Sequence, residues 1–431
     1  METIQYTSLS LLGLANKDVC YELMPEYVLD DVVDKQVLRT ALQLTLKRFP
    51  NMRSRLVINE EGRPFFEDNG TEADIFDLKE SSLCLATEET GGFMFKIMVE
   101  GNCIHFRISH ALTDGRGVTM FCVALLSNYY ELLGEKQEPS PFILKGEGYS
   151  SEEESADILL ECVNRAKDAP KQEFKIPEGI FSLPEERFDD AEHKSREYII
   201  EFPVEKVLSL AKENDTTPYP VLCSVYDEAV RQAYGCDDAL ICLAAPFDMR
   251  ERIGINTLWN GFTLQSVGLD KNIASLPLKE KCAVLRGQID NIMDPVNLLS
   301  NALWEKGLVD QVYSYPYASP EGEMARTMVR NMIIGSNTCF FSYMGRVRIP
   351  EGIEKHIIET RHHFVSYFSS VFAVGASVGK TMRISMNQVF ESDRLASSIV
   401  NVFSKLDIDA KLIDNNGVIG DRLDISKLKR I

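Results

Sequence analysis

The pattern of apolar and polar positions predicts helices and strands in close succession from the start of the chain. In residues 34–49 the apolar positions share one helical face, which predicts a helix that ends before Pro50. Residues 53–58 and 64–66 follow as two predicted strands. A helix that leads into strands indicates a mixed fold with both kinds of element.

A hairpin followed by a helix is the clearest pattern in the first third of the chain. Residues 93–99 and 103–109 alternate apolar and polar side chains around a turn, which predicts two antiparallel strands. The apolar positions of residues 118–133 then fit a helix. The residues between strand and helix are therefore expected in a short loop, where a scaffold can fix reactive side chains.

The second half of the chain repeats this order of elements. Its predicted helix, strand, two hairpin strands and final helix lie at residues 218–234, 239–245, 368–376, 382–389 and 393–406. The second hairpin ends in Asn387-Gln388-Val389-Phe390, without the histidine and aspartate that follow the first. The repeat predicts two similar lobes and one active site.

An acidic stretch rich in turn residues separates the two halves, with one predicted helix between residues 156 and 167. We therefore predict an N-terminal lobe at residues 1–150, an acidic crossing segment at 151–195 and a C-terminal lobe at 196–431.

The net charge is -19, from 46 Lys and Arg against 65 Asp and Glu, which disfavours binding to nucleic acid and to anionic membranes. Ten cysteines are scattered without a Cys-x-x-Cys spacing, which is typical of reduced thiols. Neither a leader nor a run of about 18 apolar residues is present, so no membrane span is expected. The prediction is a cytoplasmic protein.

His110, Asp114 and Gly115 form a His-x-x-x-Asp-Gly motif in the predicted loop. A neutral imidazole accepts a proton near neutral pH, so His110 is a candidate general base. Asp114 is suited to pairing with an arginine, and Gly115 to permitting an unusual turn. The alternative interpretation is a buried structural histidine beside an aspartate that only caps the next helix.

The segment SHALTDG at residues 109–115 resembles the active-site motif of the chloramphenicol acetyltransferase-like superfamily, which includes condensation domains and alcohol acetyltransferases. Further similar segments are FPNMRSR at 49–55, PFDMR at 246–250 and FSYMG at 341–345. The resemblance implies an α/β fold of the α+β sandwich type. Two lobes would form a pseudo-dimer with a tunnel between them.

The resemblance also implies an acyltransferase in which His110 deprotonates a hydroxyl or amine acceptor that attacks a thioester. Asp114 would pair with Arg250, or failing that with Arg252. The donor would be acyl-CoA or the phosphopantetheine of an acyl carrier protein, used as a co-substrate, and no permanently bound cofactor is expected. Possible partners are a small-molecule acceptor and a carrier protein.

Two departures from the family pattern are visible. Ser109 stands where condensation domains that build peptides usually have a second histidine, so the match is nearer to stand-alone acyltransferases. Residues 258–262 (LWNGF) do not replace the Asp-Phe-Gly-Trp-Gly motif of plant-type enzymes. A degenerate module that binds a small molecule or carrier protein without catalysis is therefore the alternative function, and an unrelated protein with a chance motif is a third.

Other candidate residues carry weaker signals. Ser342 is either an oxyanion donor or a strand-end serine, and Arg346 and Arg348, near Lys355, could bind donor phosphates or balance acidic neighbours. The pair His362-His363 lacks the motif and is expected to be solvent-facing or packed. The histidines are not spaced as metal ligands, so no metal is predicted.

Overall fold

The computed structural model describes residues 5–14, 21–80, 83–166, 177–188, 194–366, 369–415 and 428–430. Its helices are α1 (Tyr6–Leu14), α2 (Lys35–Arg48), α3 (Gly115–Leu132), α4 (Glu152–Ser155), α5 (Ile158–Arg165), α6 (Val204–Glu213), α7 (Pro218–Tyr234), α8 (Arg250–Ile253), α9 (Lys271–Ala274), α10 (Leu278–Ile292), α11 (Pro295–Val312), α12 (Pro320–Gly335), α13 (Glu351–Glu354) and α14 (Arg394–Lys405).

The strands form three sheets. They are β1 (Tyr21–Leu29), β2 (Ser54–Ile58), β3 (Pro64–Asp68), β4 (Ile75–Asp77), β5 (Phe95–Glu100), β6 (Cys103–Ser109), β7 (Arg196–Pro203), β8 (Ile241–Asp248), β9 (Phe262–Leu269), β10 (Cys339–Arg346), β11 (Ile357–Ser366), β12 (Val371–Val378), β13 (Thr381–Gln388), β14 (Lys411–Asp414) and β15 (Lys429–Arg430).

The first sheet has the strand order β11-β1-β6-β5-β4, and α2 and α3 pack against it around one hydrophobic core. Asp34 caps α2, since its Oδ1 accepts hydrogen bonds from the amides of Gln36 (2.9 Å) and Val37 (3.1 Å). The buried positions of α2 then recur at helical spacing, with Leu38, Leu42 and others in the core. α2 thus follows directly from the sequence pattern.

The second sheet has the order β14-β7-β13-β12-β10-β8-β9, and α7 and α14 pack on it around a second core. α7 begins at Pro218 and stops at Gly235, whose φ of 62° is the left-handed conformation that glycine adopts readily. The third sheet is small and joins β15 to β2 and β3.

One strand of the second half belongs to the sheet of the first. β11 pairs antiparallel with β1, with Tyr21 opposite Ser366 and Met24 opposite His363. The two halves therefore share a sheet, although the division at residues 150 and 195 itself stays a prediction. None of the described helices has the length and the apolar composition that a membrane span requires.

The secondary-structure predictions agree with the structure at the periodic segments. The helix at 218–234 is confirmed with its bounds as α7, and both hairpins are confirmed as β5–β6 and β12–β13. Residue 368, the predicted start of the second hairpin, lies outside the described residues. The pattern did not reveal β1, β11 or the helical region α10 to α12.

Candidate active site

The His-x-x-x-Asp-Gly motif lies in the tight connection between β6 and α3. β6 ends at Ser109 and α3 begins at Gly115, so only five residues separate the two elements. Asp114 caps α3, because its Oδ1 accepts a hydrogen bond from the amide of Gly117 at 3.1 Å. The strand, the helix and this cap together fix the loop.

Asp114 also forms the predicted ion pair with the second half of the chain. Its Oδ2 lies 2.7 Å from Arg250 Nη2 and accepts a hydrogen bond from the amide of Gly261 at 2.8 Å. The side chains of Asp114 and Arg250 are only 8% and 2% exposed. Burial raises the pKa of Asp114, but the Arg250 charge and the backbone amides outweigh it and hold the pKa below its usual value. Asp114 is therefore an anion that is directed toward Arg250.

Arg250 is held in place by further contacts from its own segment. Its Nε donates to the carbonyl of Thr257 (2.9 Å) and its Nη2 to that of Trp259 (2.6 Å). Its Nη1 lies 3.1 Å from Asp248 Oδ1. The guanidinium thus ties the loop of residues 248–261 to the motif, which is a structural role.

His110 is oriented by Asn260, a residue that the sequence analysis did not identify. The ring Nδ1 lies 3.1 Å from Asn260 Oδ1, and Asn260 Nδ2 donates to the carbonyl of His110 at 2.8 Å. Because the amide nitrogen is used toward carbonyls, its oxygen faces the ring and accepts from Nδ1–H. This tautomer leaves Nε2 as the basic nitrogen of His110.

Burial also favours the neutral form of this imidazole. It lowers the pKa of His110 below 6.5, against smaller opposing effects of backbone hydrogen bonds, the Asp114 charge and Asn260. The ring is therefore unprotonated at neutral pH and able to accept a proton.

Three aromatic rings surround the imidazole, and we call them the ring cage. The rings of Tyr21, Phe262 and Phe364 have their centroids 5.0, 5.5 and 5.8 Å from that of His110. They come from β1, β9 and β11, so all three sides of the cage depend on strand pairing. His110 itself is 7% exposed.

The carbonyl of Leu258 joins the two halves beside the motif. It accepts hydrogen bonds from Asn51 Nδ2 (3.1 Å) and Thr113 Oγ1 (2.8 Å). Asn51 also donates to the carbonyl of Leu112 at 3.2 Å. Both segments, residues 49–55 and 258–262, are recognisable in the sequence, but their contact is not predictable from either one.

The motif glycine has a different role from the one expected. The expectation of an unusual turn at Gly115 is wrong, because Gly115 is not among the residues with positive φ and an added Cβ would make an ordinary contact, 3.5 Å from Met344 Cε. At Gly117 an added Cβ would lie 1.9 Å from Thr113 Oγ1. The close packing at the start of α3 therefore requires the second glycine.

Ser342 lies on β10, opposite Val374 of β12. Phe340 faces the first core and Phe341 the second, so alternation along the strand turns Ser342 toward the first core, which is the side of His110. This orientation is compatible with an oxyanion donor, and that role stays a prediction.

Of the three basic candidates, Arg346 and Arg348 are exposed, with Arg348 over the ring of Phe142 at 5.4 Å. Lys355 pairs with Glu135 at 2.8 Å and so balances an acidic neighbour. The two arginines remain the candidates for donor phosphates.

The side chains of His362 and His363 are buried, so of the two alternatives expected, solvent-facing or packed, the second is present. His363 Nδ1 lies 2.5 Å from Glu197 Oε1, and its Nε2 lies 3.3 Å from Glu26 Oε2. Burial lowers the pKa of His363, but the two carboxylates outweigh it and raise the pKa to about 10. The neighbouring His362 has its pKa lowered to about 4 by burial. The contact between His363 of β11 and Glu197 of β7 joins the first sheet to the second.

One group of possible metal ligands occurs among the described residues. Single ligand atoms of Glu26, Cys103 and His105 lie within 4.8 Å of one another. Glu26 is already engaged by His105 (2.9 Å), and Arg361 lies 3.6 Å from its other oxygen. The Arg361 charge opposes a cation there, and the expectation of no metal stays a prediction.

A cavity of about 500 Å³ adjoins the ring cage. Tyr21 and Phe262 line it, together with residues of α1, α11, α12, β8 and β9. It lies between elements of both halves of the chain and has the size of a small-molecule site.

Comparisons with known proteins bear on the fold. No protein-family model and no curated protein matches the chain. Among solved structures, polyketide synthase associated protein 5 from Mycobacterium tuberculosis is similar with a TM-score of 0.60 at 12% identity, over 93% of this chain and 96% of that one.

Two further structures are similar over almost their whole length. The condensation domain of Monacolin K polyketide synthase MokA has a TM-score of 0.59 at 10% identity, over 93% of this chain and 94% of that one. F. sporotrichioides TRI101, solved with coenzyme A and T-2, has a TM-score of 0.57 at 13% identity, over 94% and 98%. At such identities the likeness establishes the fold alone, and this chain shares its mixed α/β fold with these three proteins.

Proposed function

We propose that the chain transfers an acyl group from a thioester to a hydroxyl or amine acceptor, with His110 as the general base. The observation that supports this most is the orientation of the imidazole. Asn260 accepts from Nδ1–H while Asp114 is paired with Arg250, so Nε2 is the basic atom of the site. The lowered pKa keeps that atom unprotonated at neutral pH.

The reaction balances with His110 alone as proton carrier. Nε2 takes the proton of the acceptor O–H or N–H as the acceptor attacks the thioester carbonyl carbon. The tetrahedral intermediate then breaks its C–S bond, and the departing sulfur receives the proton from the imidazolium as a free thiol. An oxyanion forms in between, and Ser342 is the candidate donor to it.

The donor is acyl-CoA or an acyl group on a carrier protein. Both end in a phosphopantetheine arm, and the exposed Arg346 and Arg348 offer positive charge to its phosphates in a chain that is otherwise acidic. The similar protein TRI101 was solved with coenzyme A, which favours the free coenzyme as the first donor to test.

We place the protein in the cytoplasm. Nine cysteines lie among the described residues, and six of them are buried thiols. Such usage is typical of a reducing compartment.

A binding module without catalysis is the second candidate. It is favoured by the ring cage, because Tyr21, Phe262 and Phe364 leave His110 only 7% exposed. The rings leave little of the imidazole surface for an acceptor, whereas the adjoining cavity of about 500 Å³ has room for a ligand.

Thiol release from a panel of acyl-CoA donors with mixed alcohol and amine acceptors tests the proposal. His110→Ala is expected to lower turnover by about two to four powers of ten, as loss of a general base does. His356→Ala is the matched control, since it removes a histidine that pairs with Asp30 and Glu135 outside the site. An unchanged rate in His110→Ala would exclude the base, and no release from free or carrier-bound donors would favour the binding module.

A further inference from the structure

The cavity beside the ring cage has mostly apolar walls. Apolar side chains from α1, α11, α12, β8 and β9 line it, among them Leu9, Leu264, Trp304, Leu308 and Ile333. A wall of this kind binds the apolar part of a small molecule, and a few polar groups then fix its orientation.

Several polar side chains of the wall already have hydrogen-bond partners in the protein. Gln265 donates to Asn301 at 2.8 Å, and Asn301 in turn donates to Thr263 at 2.8 Å. Gln288 makes two hydrogen bonds with the backbone of Gly268, at 2.8 and 2.9 Å. These groups therefore have little unmet capacity for a ligand.

Glu305 on α11 is different, because it lines the cavity and receives no hydrogen bond from any described residue. The two carboxylate oxygens of Glu305 have no hydrogen-bond partner among the described residues, yet they are not fully buried. They therefore keep some solvent-accessible surface toward the cavity. Burial, and to a smaller extent the charge of Asp157, raises the pKa of Glu305 to about 7. An unpaired carboxylate in such surroundings is costly, so Glu305 is partly protonated at neutral pH, and a cationic ligand that pairs with it favours the charged form.

The cations near Glu305 are used elsewhere. Lys306 pairs with Asp310 at 2.5 Å and lies over the ring of Tyr6 at 4.7 Å. Arg326, which also lines the cavity, pairs with Glu323 at 2.7 Å and lies over the ring of Tyr317 at 4.4 Å. Asp157, whose charge also acts on Glu305, accepts hydrogen bonds from the backbone amides of residues 6, 159 and 160. The protein thus provides no counter-ion for Glu305 among its described residues.

We propose that the cavity binds an apolar molecule that carries a protonated amine, and that the Glu305 carboxylate pairs with the ammonium group. Tyr21 and Phe262 belong to both the cavity wall and the ring cage, so one end of the ligand lies against the rings that cover His110. If the proposed acyl transfer holds, on which this step rests, the ligand is the acceptor. It is then an amino alcohol or a diamine, with its second polar group at His110.

Binding of simple probes tests the amine site without any catalysis. Octylamine, octanol and octanoate have the same chain and differ in charge, and Trp304 in the wall reports binding by its fluorescence. Since the chain has two tryptophans, Trp304→Phe serves as the optical blank. Octylamine is expected to bind about tenfold or more tightly than octanol, which is the effect of one hydrogen bond between charged groups.

Glu305→Gln is expected to reduce this preference to within about threefold, because it keeps the shape and removes the charge. Glu321→Gln makes the same change at an exposed position of α12 that does not line the cavity, and it should leave the preference intact. Equal binding of amine and alcohol, tighter binding of octanoate, no amine binding, or a preference that survives in Glu305→Gln would each overturn the proposal.

The amine site and the proposed acyl transfer can fail separately. His110→Ala leaves Glu305 and the cavity wall unchanged, so its octylamine affinity should equal that of the wild type. A protein that binds the amine but releases no thiol would retain the site and lose the acyltransferase, and the opposite result would retain the acyltransferase alone.

Discussion

The two hairpin-helix units use the same elements and direct their polar groups differently. In the first unit, β6 leads through the motif into α3, and Asp114 reaches across to Arg250 of the other half. In the second unit, β13 leads into α14, and Gln388 Nε2 donates to the carbonyls of Phe390 (2.9 Å) and Ser392 (2.6 Å) in its own turn.

Position matters as much as residue type in this comparison. Val389 is buried one residue after the end of β13, as His110 is one residue after the end of β6. Asp393 makes no side-chain cap to α14, whereas Asp114 caps α3. The first turn therefore joins the two halves and holds a base, while the second bonds to its own residues and to neighbours such as Phe188 and Tyr198.

Breaking each turn should show this difference in stability. Asp114→Ala leaves the buried Arg250 with only the partly exposed Asp248 as an ionic partner and is expected to lower the free energy of unfolding by about 3 kcal/mol, the lower end of the range for a broken buried pair. Gln388→Ala removes hydrogen bonds to two carbonyls and should cost about 1–3 kcal/mol. Urea unfolding measures both, and an Asp114→Ala protein as stable as wild type would contradict the cross-lobe role of the pair.

Among the described residues, the second turn has no contact equivalent to that between Asn260 and His110. The effect of this contact can be measured in the pH dependence of the rate. His110 must be unprotonated, so the rate falls as pH falls through its pKa, which in the wild type lies below 6.5. Asn260→Asp places an anion beside the ring, raises that pKa and moves the acid limb of kcat/KM to higher pH.

Asn260→Ala is the neutral companion of that variant. It should lower kcat by about tenfold, the effect of roughly 1.4 kcal/mol from one lost hydrogen bond, without an upward shift of the limb. If both variants kept the wild-type profile, Asn260 would not orient the base.

The smallest effect is expected from His356, which follows α13. Its two ring nitrogens lie near the surface, 2.9 Å from Asp30 Oδ2 and 2.9 Å from Glu135 Oε2. Burial lowers the pKa of His356, but the two carboxylates outweigh it and raise the pKa above 6.5. This contribution to stability is complete below the unfolded pKa and is lost as pH rises through the folded one. The Tm of His356→Gln should fall below that of wild type at about pH 6 and approach it at about pH 9. A constant gap would contradict the linkage.

The sequence was sufficient for elements whose one face is buried and whose other face is solvated. α2, α14 and β6 have this character, and His110, Asp114 and Arg250 could be selected because the motif and its matching segment are local patterns. The ion pair between Asp114 and Arg250 was predicted by resemblance and is present.

Other features depend on residues that meet only after folding. Asn260 is 150 positions from His110, and nothing in its own segment marks it as the partner of a ring nitrogen. α11 packs Leu298 and Val309 into buried positions and turns Glu305 to a cavity, so it lacks a single apolar face that would predict it. The cavity and its acidic group were therefore beyond the reach of periodicity.

The pairing of β1 with β11 has a consequence for synthesis of the chain. Tyr21 lies opposite Ser366, so β1 waits for a partner that is made last among the strands of its sheet. At ~5–20 residues per second, the ribosome needs roughly 20–70 s to reach it. During that time the nascent first lobe presents an open strand edge, which is a site for chaperones or for aggregation.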